Sequence, residues 1–208
     1  MRTATRLIGL AALVAASVSC GDVVRQGSSP VFLVIDLLQG IRGGPTAGQA
    51  TSTLVSDVIT NVTSGGSCTA LAPCPTPFGD TGTATLRAPL KNLGATSVLS
   101  PTTNNEVTIN RVHVAYSRAD GRNTPGVDVP YAFDTAVTGT IQAGGTLTLG
   151  FELVRNVAKQ ESPLVQLKTS SNVMSVIATV TFYGVDRVGN AVQATGQIQI
   201  EFGNFGDS

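Results

Sequence analysis

VIATVTFYGVDRVGNAVQATGQIQIEF, residues 176–202, divides at its middle into two alternating runs. Val176, Ala178, Val180 and Phe182 share one phase, and Ile177, Thr179, Thr181 and Tyr183 share the other. After Asp186 to Asn190 the chain returns as Val192, Ala194, Gly196, Ile198, Ile200 and Phe202. A period of two places one set of side chains on a buried face, and the β-branched and aromatic content suits a pleated surface. A glycine-bearing turn between two such runs predicts a long hairpin.

The same reading extends toward the amino terminus. Leu147, Leu149, Phe151 and Leu153 alternate cleanly after a turn at Ala143-Gly144-Gly145, so this strand and Thr138–Ile141 are expected to form a second hairpin. Between Glu106 and Tyr116, Val107 and Ile109 lie in one phase and Val112, Val114 and Tyr116 in the other. A β-bulge near Asn110 and Arg111 would account for the slip. Thr83–Lys91 reads as a strand in which Pro89, lacking an N–H, marks an edge or a bulge. Thr53–Val62 is read as a strand, although Leu54, Val58 and Val62 also fit a helical spacing. Val31–Leu38 is expected as the first strand, with Asp36 interrupting its apolar run, and Asn156–Lys168, which loses the period and contains Pro163, as a crossing loop with one helical turn. Seven to nine strands with turn signals between them predict an all-β chain folded as a single antiparallel β-sandwich.

Composition agrees. Of 208 residues 23 are glycine, 42% are hydrophobic and only 12% are charged, a balance that suits short strands and tight turns better than solvated helices. Thirteen basic residues face thirteen acidic ones without clustering, so no nucleic-acid partner is expected, because phosphate affinity rests on grouped cations.

The first residues read differently from the rest. Arg2 and Arg6 precede an apolar run from Leu7 to Ser19, and small residues Ser17 and Ser19 flank Val18 before Cys20. This is the pattern of a cleavable signal over residues 1–19, since a run this short falls below the ~20 helical residues a membrane span requires. Val18-Ser19-Cys20 resembles the close of the signal in bacterial lipoproteins, in which a diacylglyceryl group is attached to the cysteine before cleavage. The resemblance implies export, lipidation of Cys20, a membrane partner reached through that lipid, and a place in the cell envelope on the periplasmic or outer-surface side. Ser17 stands where the motif most often has Leu or another aliphatic residue, which leaves open ordinary cleavage after Ser19. Residues 20–30 then read as a polar tether and 31–208 as the folded body. Three cysteines in an exported chain leave one over, and lipidation of Cys20 would account for it, so Cys68 and Cys74 are expected to pair as a disulfide at a loop tip.

The carboxyl-terminal hairpin, with its turn of the form Asp-x-x-Gly-Asn at Asp186, Gly189 and Asn190, resembles that of bacterial immunoglobulin-like and fibronectin-like envelope domains. The likeness covers about thirty residues and implies an immunoglobulin-like sandwich. It brings no single activity, because such domains serve adhesion, scaffolding and carbohydrate contact alike. The whole chain also resembles uncharacterised exported bacterial lipoproteins.

No Gly-x-Ser-x-Gly elbow, His-Glu-x-x-His pair or phosphate-binding Gly-rich loop occurs in the chain. His113, the single histidine, sits on a strand beside Arg111 and reads as a surface residue. Asp120, Arg122, Asn123, Asp128, Tyr131, Phe133 and Asp134 make the most suggestive stretch. Its oxygens suit Ca2+ by type, yet their spacing departs from the calcium-loop pattern, and Asx residues beside Gly and Pro cap turns, so no resident cofactor is expected. Tyr131 and Phe133 would be the platform of a glycan-binding module. The expected role is a non-catalytic envelope lipoprotein offering its sandwich to a protein partner, to adhesion or to structural support. A glycan-binding envelope module is the alternative, and a hydrolase built on a pair of carboxylates a weaker one.

Overall fold

A computed structural model of the chain describes residues 27–46, 48–91 and 100–206. The expected signal over residues 1–19, Cys20 and most of the tether lie outside the described residues.

The chain is mostly β. Its strands are β1 (Val34–Ile41), β2 (Ala50–Thr51), β3 (Thr53–Asp57), β4 (Thr60–Val62), β5 (Cys74–Thr76), β6 (Asp80–Arg87), β7 (Val107–Ser117), β8 (Phe133–Ile141), β9 (Thr146–Val154), β10 (Met174–Asp186) and β11 (Ala191–Gly203). The seven to nine strands expected become eleven among the described residues, the excess being β2, β4 and β5, each of two or three residues. One sheet has the order β2-β1-β6-β9 and the other β3-β11-β10-β7-β8, while β4 and β5 pair by themselves. The two larger sheets enclose a core containing Leu54, Leu86, Val112, Phe151, Val180, Phe182, Ile200 and Phe202. Phe151 from one sheet meets Phe182 from the other edge to face, with ring centroids 5.3 Å apart, as expected where two alternating inner faces interdigitate.

The carboxyl-terminal hairpin forms as read, with β10 and β11 antiparallel from Val185↔Ala191 to Met174↔Phe202. The slip in β7 is also real. Its pairing with β10 passes from Tyr183↔Arg111 to Gly184↔Ile109, so Asn110 is the extra residue of a bulge in β7. Asp36 occupies a similar irregularity in β1, between Ile35↔Leu86 and Leu37↔Thr85. There it turns outward to an ion pair with Arg87 at 2.6 Å.

Several expectations are corrected. β8 and β9 do not form a hairpin: β8 pairs with β7 and β9 with β6, in opposite sheets. The Ala143-Gly144-Gly145 turn carries the chain from one layer to the other, so the inner faces of the two strands meet side chain to side chain. A β-carbon at Gly139 would stand 2.8 Å from Leu147 Cδ2. Alternation reports which face is buried and not which neighbour supplies the hydrogen bonds. The sandwich is also not wholly antiparallel, because β3 runs parallel to β11 from Thr53↔Gln199 to Gly203↔Asp57. The two segments lie far apart in sequence, as parallel neighbours must.

Thr53–Val62 is two strands, broken where Val58 turns into the core with no exposed surface. The strand expected over Thr83–Lys91 starts earlier and ends at Arg87. Pro89 lies just beyond its end, where its carbonyl accepts from the Phe32 N–H. The first strand begins at Val34, Val31 contributing only a bridge to Leu90. The crossing segment after β9 contains two short 3-10 turns, Val157–Gln160 and Leu164–Thr169.

Candidate functional site

Most of the stretch singled out between Arg118 and Asp134 is built of turns, in which Asp120, Asn123 and Asp128 each close a local contact. Asp120 accepts from Arg118 Nη2 at 2.7 Å and from the Arg122 N–H at 3.1 Å. These contacts, the Arg118 side chain first among them, hold its carboxyl well below the usual range. Asn123 Oδ1 accepts from the Arg118 N–H at 2.6 Å and Asp128 Oδ2 from the Thr124 N–H at 3.2 Å. Asp134 lies further on, in β8, where it meets Arg111 Nη1 at 2.7 Å and His113 Nδ1 at 3.3 Å across the strand pair. His113 is half-buried in that exposed row.

The two aromatic residues part company. Tyr131 is half exposed beside Arg155, Glu161 and Ser162 in a shallow depression. Phe133 leans on the core beneath the Arg155 guanidinium, 4.8 Å from the ring centroid. Asp120, Asn123 and Asp128 are thus tied within the turns, while Phe133 and Asp134 stand on β8. Among the described residues, no group of three or more His, Cys, Asp and Glu is placed to hold a metal ion.

Cys68 and Cys74 form the expected disulfide. Cys74 opens β5, which pairs Thr76 with Thr60 and Cys74 with Val62, so the bond closes the loop above the small β4-β5 pair. Leu71, within the ring, is almost wholly exposed.

Charge converges elsewhere, at one end of the sandwich. β3 ends on Ser56 and Asp57, β6 begins on Asp80, and the turn after β9 delivers Lys159; all four side chains are buried. Lys159 Nζ lies 2.8 Å from Asp80 Oδ2 and donates to the Asp57 carbonyl at 2.8 Å. Ser56 Oγ donates to the same Asp80 oxygen at 2.6 Å, and the Gly43 N–H to Asp80 Oδ1 at 2.8 Å. Gly43 can come this close because it has no side chain: a β-carbon would fall 2.0 Å from the Gly79 carbonyl oxygen.

Asp57 is balanced separately, by Arg42 Nη2 at 2.9 Å and by Thr60 Oγ1 at 3.3 Å. Its other oxygen accepts from the Phe205 N–H at 3.3 Å. Two cations thus neutralise two anions, the Lys159–Asp80 pair wholly buried and Arg42 partly exposed. Burial pushes the Lys159 ammonium below its ordinary value, opposed by Asp80. Nearby Tyr116 donates to the Leu153 carbonyl at 2.6 Å, and burial, with the charge of Asp80 added to it, raises its phenol well above the usual range.

The sequence reading missed this cluster. Its one signal is the pair Ser56-Asp57 set against Val55 and Val58; Asp80 and Lys159 stand among glycine, alanine and polar neighbours that look like loop. An open groove lined by Arg42, Gly43, Thr46, Thr60, Asn61 and Ser64 passes over the Arg42 side of the cluster. Asp80 and Lys159 themselves are closed to solvent, so their chemistry is confined to one another and to the donors around them. Comparison of the chain with protein-family models, with curated proteins and with solved structures gives no match.

Proposed function

We propose that the chain is an exported, lipid-anchored envelope protein without catalytic activity, whose immunoglobulin-like sandwich offers a rigid surface for protein contact or structural support. The observation that carries the reading is the use of the cysteines. Cys68 and Cys74 are spent on a disulfide, a bond favoured in oxidising compartments. This leaves Cys20 as the one remaining thiol, directly after an apolar run that reads as an export signal. The long closing hairpin and the two facing sheets support the immunoglobulin-like assignment. So far as the fold brings carboxylates together, at Asp57 and Asp80, it binds them to Arg42 and Lys159, which favours a structural reading of both.

The test is fractionation of cells fed a clickable fatty acid. The wild type is expected in the membrane fraction carrying the label, and Cys20→Ser as a soluble, protease-resistant body without it. A Cys20→Ser protein that stays with the membrane would overturn the lipid anchor.

A further inference from the structure

Lys159 and Asp80 meet with both side chains wholly withdrawn from solvent and 2.8 Å between Nζ and Oδ2. A buried ion pair is an expensive way to join two segments, because desolvation of both charges offsets most of their attraction. A primary amine and a carboxyl held in contact and closed to solvent have a second course open to them. We propose that Lys159 and Asp80 condense to an intramolecular amide, a covalent cross-link between the turn after β9 and the first residue of β6.

The surrounding groups suit each step. A proton passes from the ammonium to Asp80 Oδ2, giving a neutral amine and a neutral acid, the form a water-free site favours. The burial that lowers the proton affinity of Lys159 works in the same direction. The Nζ lone pair then adds to Asp80 Cγ and forms the C–N bond, and charge develops on Oδ1, to which the Gly43 N–H already donates at 2.8 Å. Ser56 Oγ, 2.6 Å from Oδ2, relays a proton from nitrogen to that oxygen. The Cγ–Oδ2 bond breaks and one water leaves. Three ammonium hydrogens end as one amide N–H and two on water, with no oxidant or reductant involved. Holding the partners in contact supplies the proximity that makes such a step effectively unimolecular.

The product is satisfied where it stands. Its N–H keeps the Asp57 carbonyl as acceptor, now 2.8 Å from Nζ, and its carbonyl keeps the Gly43 N–H. Two buried charges disappear, and Ser56 Oγ, whose acceptor Oδ2 leaves with the water, turns to another acceptor. Arg42 still neutralises Asp57.

Peptide mapping of the full-length wild-type protein, reduced and digested with trypsin, tests this directly. Cleavage after Arg42, Arg87, Arg155, Lys159 and Lys168 of an unlinked chain releases 43–87, 156–159 and 160–168 as separate peptides. The cross-link blocks cleavage at Lys159 and yields a single branched species, 43–87 joined to 156–168, lighter by one water than its two parts. Fragment spectra should place the branch on Asp80 and Lys159. Lys159→Arg, whose guanidinium does not condense in this way, should give only linear peptides. Complete recovery of the three separate peptides from the folded wild type, or a branched species that persists in Lys159→Arg, would overturn the proposal.

Discussion

Asp186 closes the turn of the carboxyl-terminal hairpin with its side chain. Oδ1 accepts from the Val188 and Asn190 N–H groups at 3.0 and 2.8 Å, and Oδ2 from Asn190 Nδ2 at 2.9 Å. Gly189 adopts φ 89°, a left-handed conformation that a side chain would strain. Burial alone would lift the Asp186 carboxyl, but the hydrogen bonds from Asn190, Ser29 and Val188 outweigh it and hold the group below its usual value. A carboxyl whose folded pKa is depressed contributes stability above its unfolded pKa, and that contribution is lost as pH falls through the folded value. Asp186→Ala should therefore cost about 1–3 kcal/mol near neutrality, and the gap from wild type should close as the pH drops below ~4. Urea unfolding at neutral and acidic pH measures both quantities. A gap independent of pH would mean that the carboxylate is not its source. This residue was legible because the partners that form its turn, Val188 and Asn190, lie within four positions of it. Lys159 was not, because what makes it unusual is burial by segments some eighty and a hundred residues away, and local context shows only a lysine in an aperiodic stretch.

At the scale of elements, legibility followed the same division. The β10-β11 hairpin and the β7 bulge were readable since period and phase are local properties of a strand. The arch between β8 and β9 and the parallel β3-β11 pair were not, because alternation is identical whichever sheet a strand joins. The disulfide loop lay between these cases: cysteine count gave the pairing, but the short β4-β5 pair beneath it leaves little periodic signal at three residues a side. That loop rises from the surface, with Leu71 exposed at its tip, and Val62↔Cys74 is the last backbone pair below it. Closing so small a ring restricts the unfolded chain by only about 2 kcal/mol. Replacing both cysteines by serine should lower stability by about that amount and leave near-native amide protection in β7, β10 and β11. Hydrogen exchange distinguishes the outcomes, since loss of protection in those central strands would show that the bond holds the core and not the loop.

For the whole molecule the question is what fixes the two layers at the end where β3, β6 and the turn after β9 meet. β3 belongs to one sheet and β6 to the other, and Ser56 on the first reaches Asp80 on the second. Lys159 joins both, touching the Asp57 backbone and the Asp80 carboxyl. With Lys159→Met the Asp80 carboxylate keeps the Ser56 and Gly43 donors but loses its counter-charge in a site without water, a change that costs about 3–5 kcal/mol where it has been isolated in other buried pairs. Lys159→Met combined with Asp80→Asn removes both charges while an amide oxygen remains to accept from Gly43. The double variant should therefore recover part of the loss and stand above the single one. Equilibrium unfolding of the wild type, both single variants and the double closes the cycle. A double variant no more stable than Lys159→Met would mean that the stranded charge is not what destabilises the single change, and that Lys159 acts through its packing or its tie to Asp57 instead. If the lysine is also the covalent tie, recovery must stop short of the wild type, because neither variant can rebuild the link between β6 and the turn after β9.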